Sequence, residues 1–256
     1  MSLYYRKIEG GPKPVLILHG IFGSSDNWLT ISKQIASSKH TVYLIDQRNH
    51  GRSPRADEFN YATMSEDLRG FIVEHQLQHP ILIGHSMGGK TVMQYTSEWP
   101  SEVDKLVVVD IAPKAYPIHH TEILKGLAAI QLGDLQSRQE ANEILSAYEP
   151  SEGVRQFLLK NLYKKEHGGF DWRINLPVLS RDMAMVGQAT EPKHPIDVPT
   201  LFMRGEKSNY ILDSDWDSIH AHFPNATLAT VPDAGHWIQA EQPAAFLQAL
   251  HAFLDA

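Results

Sequence analysis

Gly84-His85-Ser86-Met87-Gly88 is the segment of this sequence that most directly announces chemistry. A serine between two such glycines, following an aliphatic run and preceding a helical pattern, reads as a nucleophile on a tight strand-to-helix turn. A serine hydroxyl needs a base to become a useful nucleophile, and the base needs an acid to orient it. In this arrangement the order along the chain is serine, acid, histidine, so the base is sought late in the sequence. His236, in Ala234-Gly235-His236-Trp237 after the last strand-like run, is the candidate base. The usual place for the acid is the turn after Thr200 to Met203, but Ser208 stands where an aspartate is expected. Asp110, at the end of the preceding aliphatic run, is therefore the candidate acid, with Ser208 adding a hydrogen bond that supports His236. Asp213 is the reserve acid, and the competing reading of Asp110 is a cap for the segment that follows it.

A tetrahedral oxyanion needs two backbone N–H donors. Met87, the residue after the nucleophile, supplies one. The other is expected from His19-Gly20-Ile21-Phe22-Gly23, with Ile21 favoured and Phe22 the alternative.

These groups need a scaffold that brings distant segments to one edge. Aliphatic runs at Val15–Leu18, Thr41–Ile45, Ile81–Ile83, Leu106–Val109, Thr200–Met203 and Ala226–Val231 alternate with amphipathic segments, the pattern of an α/β protein with a mostly parallel sheet. Met64 to His75 buries Leu68, Phe71 and Ile72 at helical spacing. The C-terminal segment does the same with Phe246, Leu247, Leu250, Phe253 and Leu254. The alternation breaks from Lys114 to Lys193, where helical patterns recur and no strand is expected. Asn175-Leu176-Pro177 there reads as a helix cap with proline in the first turn. The expected organisation is a core of residues 1–113 and 194–256 with a helical cap, or lid, inserted at 114–193.

The 256 residues, 42% of them hydrophobic and 21% charged, fit an ordinary globular chain. A net charge of −7 without a dense basic run disfavours nucleic acid, and no apolar run approaches the ~20 residues of a membrane span. The absence of cysteine excludes disulfides, thiol nucleophiles and thiolate metal sites. The charged start, Arg6-Lys7, is unlike a signal peptide, so a cytoplasmic location without export is expected. No cofactor or metal is expected; His119-His120 is a poor metal pair because adjacent residues rarely point at one ion.

Five segments together resemble the α/β-hydrolase superfamily, and within it the bacterial YbfF-type esterases, whose eukaryotic relatives are mitochondrial α/β-hydrolase-domain proteins. They are His19–Ser24, Asp46–Pro54, Gly84–Lys90, Val109–Pro113 and Trp172-Arg173-Ile174-Asn175. The resemblance spans essentially the whole chain. It implies an α/β-hydrolase core with an inserted helical cap, an acid after the strand preceding the cap, which matches Asp110, and a serine in the usual acid turn, which matches Ser208. It also implies hydrolysis of carboxylic esters and acyl-CoA thioesters.

The expected partner is a small-molecule ester or thioester, and the expected state a monomer or weak homodimer. Phe22, Trp172, Arg173 and Trp237 are the candidate substrate contacts, although Trp172 also reads as a packing anchor and Arg173 as an ion-pair partner. Arg48-Asn49-His50 is expected to border the site in a structural role, and Lys90 to pack or pair. Carbon–carbon bond hydrolysis, perhydrolysis and a low-turnover ligand receptor are the rival readings; dehalogenase and epoxide hydrolase chemistry would want a carboxylate in place of Ser86. A histidine base works only when neutral. Hydrolysis is therefore expected to fall below about pH 6.5 in steady-state rates, and a profile flat to about pH 4 would exclude it.

Overall fold

The computed structural model describes residues 1–118 and 120–256. Seven strands form the main sheet: β1 (Tyr5–Ile8), β2 (Lys13–Leu18), β3 (His40–Ile45), β4 (Ile81–His85), β5 (Lys105–Val109), β8 (Thr200–Gly205) and β9 (Ala226–Val231). Their order is β1-β3-β2-β4-β5-β8-β9, and every pair is parallel except β1 with β3. All six expected runs are strands. β1 was not expected: Tyr5-Arg6-Lys7-Ile8 is an edge strand with polar side chains and no residue fully buried, so it lacks the aliphatic signature of the others.

Alternation along the strands divides the sheet between two cores. Leu16, Leu18, Leu82, Leu106, Val108 and Phe202 face one side, where α2 (Tyr61–Glu74), α3 (Met87–Glu98) and α9 (Trp216–His222) cover them. Val15, Ile17, Ile83, Val107, Val109 and Met203 face the other, covered by α1 (Leu29–Ile35), α10 (Ile238–Glu241) and α11 (Pro243–Asp255). The expected faces of α2 and α11 are the buried ones. The Asn60 side chain caps α2 by accepting from the Thr63 N–H at 2.9 Å.

Between β5 and β8 lie α4 (Thr121–Ala129), α5 (Arg138–Ser146), α6 (Glu152–Leu159), α7 (Leu176–Arg181) and α8 (Met183–Val186). They share a third core with Ile21, Phe22 and Met87. Ser137 and Ser151 cap α5 and α6. Two short strands, β6 (Leu162–Lys164) and β7 (Phe170–Trp172), form an antiparallel hairpin in the same region, which corrects the expectation that it holds no strand. Three-residue strands separated by a polar Gly-containing turn are too short to show a period. Asn175 precedes α7 as expected but does not cap it with its side chain; its amide donates instead to Asn49 Oδ1 at 2.9 Å.

Polar pins tie these helices to the core. Lys90, in α3, is fully buried; its Nζ donates to the Lys114 carbonyl at 2.8 Å and to the Gln188 carbonyl. Tyr116 lies 5.0 Å from the ammonium. Burial pushes the Lys90 ammonium down to about 8, opposed by Glu191. Between pH 8 and the ordinary lysine range near 10.5 the unfolded chain then holds the extra proton, so this group's contribution to stability rises with pH across that window. Urea unfolding from pH 7 to 10 should show wild type gaining on Lys90→Met by on the order of 1–3 kcal/mol. Parallel curves would show that Lys90 does not titrate in that window.

Candidate active site

The site forms where β2, β4, β5, β8 and β9 end at one edge of the sheet. β4 stops at His85, and Ser86 turns the chain with φ 52° before α3 starts at Met87. That left-handed conformation is rare for a residue with a Cβ and is held by the surrounding structure. The Ser86 N–H still donates to the Val109 carbonyl at 3.0 Å, extending the β4–β5 ladder by one residue. Gly84 and Gly88 make the turn sterically feasible: a Cβ on Gly84 would collide with the Gly88 carbonyl, and one on Gly88 with the Leu18 carbonyl. Met87 occupies the first position of α3, where a helical N–H has no partner within its own helix.

Asp110 repeats this geometry one strand over. It follows β5 with φ 52°, and its N–H donates to the Met203 carbonyl at 2.8 Å. Its carboxylate has no solvent exposure and accepts three hydrogen bonds. Oδ1 takes the Gly205 N–H at 3.0 Å; Oδ2 takes the Ser208 hydroxyl and the His236 Nδ1–H, the latter at 2.8 Å. Because a carboxylate only accepts, Nδ1 carries the proton and Nε2 of a neutral His236 ring is its basic nitrogen. Tyr210 stacks on this ring with centroids 4.1 Å apart. The Asp110 charge and burial hold the Tyr210 phenol above its ordinary range, burial being the larger cause. Asp213 lies elsewhere: it is 91% exposed and pairs with Arg204 at 2.7 Å.

Residues 19–23 form the neighbouring wall. The Gly23 N–H closes a turn onto the Gly20 carbonyl at 3.0 Å, and Phe22 adopts φ 58°. His19 anchors the turn, donating from Nδ1 to the Gly20 carbonyl at 2.8 Å and accepting at Nε2 from the Gln47 N–H at 3.0 Å. Thr91 on α3 donates to Gln47 Oε1 at 2.9 Å, which links this turn to the helix after Ser86. From the opposite side, buried Asn161 donates through Nδ2 to the Phe22 carbonyl at 2.7 Å.

A cavity of about 280 Å³ opens between these elements and the helices above them. Ser86, His236, Ile21, Phe22 and Trp237 all line it, so the structure brings together the predicted nucleophile, base and oxyanion turn and two of the predicted substrate contacts. No hydrogen bond joins Ser86 to His236 among the described residues. Trp172 and Arg173 are corrections. Neither lines the cavity: pairing of β7 with β6 turns Trp172 into the third core, and the Arg173 guanidinium lies over the Tyr163 ring at 4.7 Å. Arg48, Asn49 and His50 do not border the cavity either. Arg48 forms a buried 2.6 Å pair with Asp67, Asn49 binds Asn175, and burial drives the His50 ring down to about 3. Of the adjacent histidines, His120 lines the cavity and His119 lies outside the described residues. No group of three metal-ligating side chains occurs, and no helix is long and apolar enough to cross a membrane, among the described residues.

Three neighbours of the site went unread in the sequence. Tyr210 and Asn161 act across many intervening residues, and no local pattern marks them. His85 stands inside the elbow, where its Nε2 bonds the His236 carbonyl at 2.9 Å; the only signal was its place beside Ser86.

A model of the alpha/beta hydrolase fold matches residues 13–243. The chain is 38% identical over 244 residues to esterase YbfF of Escherichia coli, covering 94% of this chain and 93% of that protein. It is 36% identical over 264 residues to the sn-1-specific diacylglycerol lipase ABHD11 of Mus musculus, covering 99% and 85%. Among solved structures, a marine microorganism esterase superposes with TM-score 0.95 at 42% identity, covering 98% of this chain and 99% of that one.

Proposed function

The chain belongs to the α/β-hydrolase family as an enzyme of its esterase and lipase kind, and from that premise we propose that it is a serine carboxylesterase working through an acyl-enzyme on Ser86. Its substrates are short- to medium-chain carboxylic esters, with acyl-CoA thioesters as a second class open to the same chemistry. The observation that carries this reading is the 2.8 Å bond from His236 Nδ1 to the buried Asp110 carboxylate, beside a cavity that His236 and Ser86 share.

In this mechanism Nε2 of His236 takes the Ser86 proton as Oγ attacks the acyl carbonyl. The hydrogen bond between serine and histidine forms around bound substrate, as catalytic contacts that are long in the free enzyme do. Asp110 holds the ring in the required tautomer and balances the imidazolium, and the Ser208 hydroxyl and Gly205 N–H keep the acid in place. The N–H groups of Met87 and Ile21, with Phe22 as the alternative, receive the oxyanion. His236 returns its proton to the leaving alcohol or thiol, and water cleaves the acyl-enzyme by the same route. Residues 114–193 are the lid, and its apolar side chains set the acyl pocket.

Steady-state hydrolysis of p-nitrophenyl esters of rising chain length and of acyl-CoA thioesters tests the assignment. Ser86→Ala and Asp110→Asn should each lower kcat by about 10⁴-fold or more, with Asp213→Asn near wild type. Loss in Asp213→Asn with Asp110→Asn active would overturn the acid assignment. Wild type inert on every ester would point instead to carbon–carbon hydrolysis, perhydrolysis or a receptor.

Asn161 is a positioning residue in the same scheme, since it holds the carbonyl of Phe22 in the oxyanion turn. Asn161→Ala should lower kcat about tenfold while KM moves little, because the turn serves the transition state rather than substrate binding. A rise in KM with kcat unchanged would assign Asn161 to packing of the lid alone.

A further inference from the structure

The cavity has two unlike walls. Its roof is largely apolar, formed by Ile123 of α4 and by Val154, Phe157 and Leu158 of α6, with His120 and the Glu149 carboxylate as its polar members. Its other wall belongs to the core and includes Gln239, three residues beyond His236 on α10. Gln239 is only 6% exposed, and its Oε1 has no hydrogen-bond partner. An amide oxygen shut away from water without a partner is costly to keep, and ester hydrolysis by Ser86, His236 and Asp110 makes no use of it.

The neighbouring group on this wall is His85, which also lines the cavity. Its Nε2 faces the His236 carbonyl and so carries the proton, which leaves Nδ1 as an acceptor against Gly20. Burial, reinforced by His236, pushes His85 down to about 3, so the ring stays neutral and does not repel a donor through a positive charge. The core wall therefore holds one unpartnered acceptor, Gln239 Oε1, beside an uncharged ring, while Ile123, Val154, Phe157 and Leu158 offer hydrocarbon.

Resting on the esterase reading, we infer that Gln239 is a specificity residue: its side-chain amide receives a neutral hydrogen-bond donor, a hydroxyl or an amide N–H, carried by the substrate. The preferred substrates are then esters with an alkyl part packed under the lid and a polar substituent turned toward α10, rather than plain alkyl esters. At Gln239 a neutral donor fits better than an ammonium ion, because one neutral amide oxygen does not offset the desolvation of a buried charge, and a cation in this cavity would be drawn to the Glu149 carboxylate instead. The donor can belong to the acyl part or to the alcohol part, and the pocket chemistry is the same for both.

Two matched substrate pairs separate these sources: p-nitrophenyl butyrate against its 3-hydroxybutyrate analogue, and ethyl butyrate against 2-hydroxyethyl butyrate. Wild type should favour the hydroxylated member of one pair by about tenfold in kcat/KM, equivalent to about 1.4 kcal/mol. Gln239→Leu should bring that ratio close to one; Gln239→Met, a second apolar replacement of similar length, serves if the leucine variant does not fold. The same pairs titrated calorimetrically into Ser86→Ala, and into Ser86→Ala carrying Gln239→Leu, read the preference as a ratio of Kd without turnover. The inference can thus stand or fall even where the ester reading fails. A ratio near one for wild type in both pairs, or a preference that survives both Gln239 variants, overturns it.

Discussion

A carboxylate with no contact to solvent cannot be left uncompensated, and Asp110 is such a group. Its compensation comes from three places far apart in sequence: the Gly205 N–H at the end of β8, the Ser208 hydroxyl in the turn beyond it, and the His236 ring after β9. The sheet order makes this feasible. β5, β8 and β9 are neighbours, and all point the same way, so their carboxyl ends lie side by side. The helices between β5 and β8 can occupy some ninety residues of chain because the pairing of these two strands, not the length of the connection, fixes where Asp110 meets its donors.

The backbone shows what this convergence requires. Phe22, Ser86 and Asp110 all take positive φ, and all three lie just beyond strands of the main sheet. Each sits on a short anchored stretch: Ser86 and Asp110 continue the parallel ladder by one hydrogen bond, and Phe22 is clamped at its carbonyl by Asn161. Strained backbone persists only where its surroundings over-determine it. Here the rigid sheet edge provides that on two sides, and Asn161, from the connection between β5 and β8, provides it on the third.

Legibility followed the range of the determinant. The buried parallel strands are nearly pure aliphatic runs because both faces are covered, so a local reading found six of them. β1, an edge strand bearing Arg6 and Lys7, and the β6–β7 hairpin lack that signature. The elbow is a five-residue pattern with a steric reason for each glycine, and it could be read directly. The meeting of Asp110 with His236 was legible by difference, since Ser208 stands in the turn after β8 where an aspartate is expected. Trp172 and Arg173 each kept two readings in the sequence because a residue's direction within a two-stranded hairpin depends on register, and the β6–β7 pairing gives Trp172 its packing role. Tyr210, Asn161 and Gln239 owe their places to contacts across the fold, and residue type alone carries no trace of them.

The helices between β5 and β8 are joined to the core by polar pins as well as by apolar packing. Lys90 reaches two carbonyls flanking it, Tyr61 donates to the Val186 carbonyl at 2.8 Å, Asn175 bonds Asn49, and Arg55 donates to the Trp172 carbonyl at 2.6 Å. Apolar contact tolerates sliding, whereas a buried hydrogen bond is lost when its partners shift by a fraction of an ångström. The pins therefore set the register of these helices on the core, and Asn161 transmits that register to the turn beside Ser86. A consequence follows for how the two halves can vary. Roof residues such as Val154 and Phe157 touch the cavity without belonging to any pin, so their size can change the cavity while the sheet edge stays in place. The pin residues lack that freedom, because altering one leaves a buried donor or acceptor without its partner.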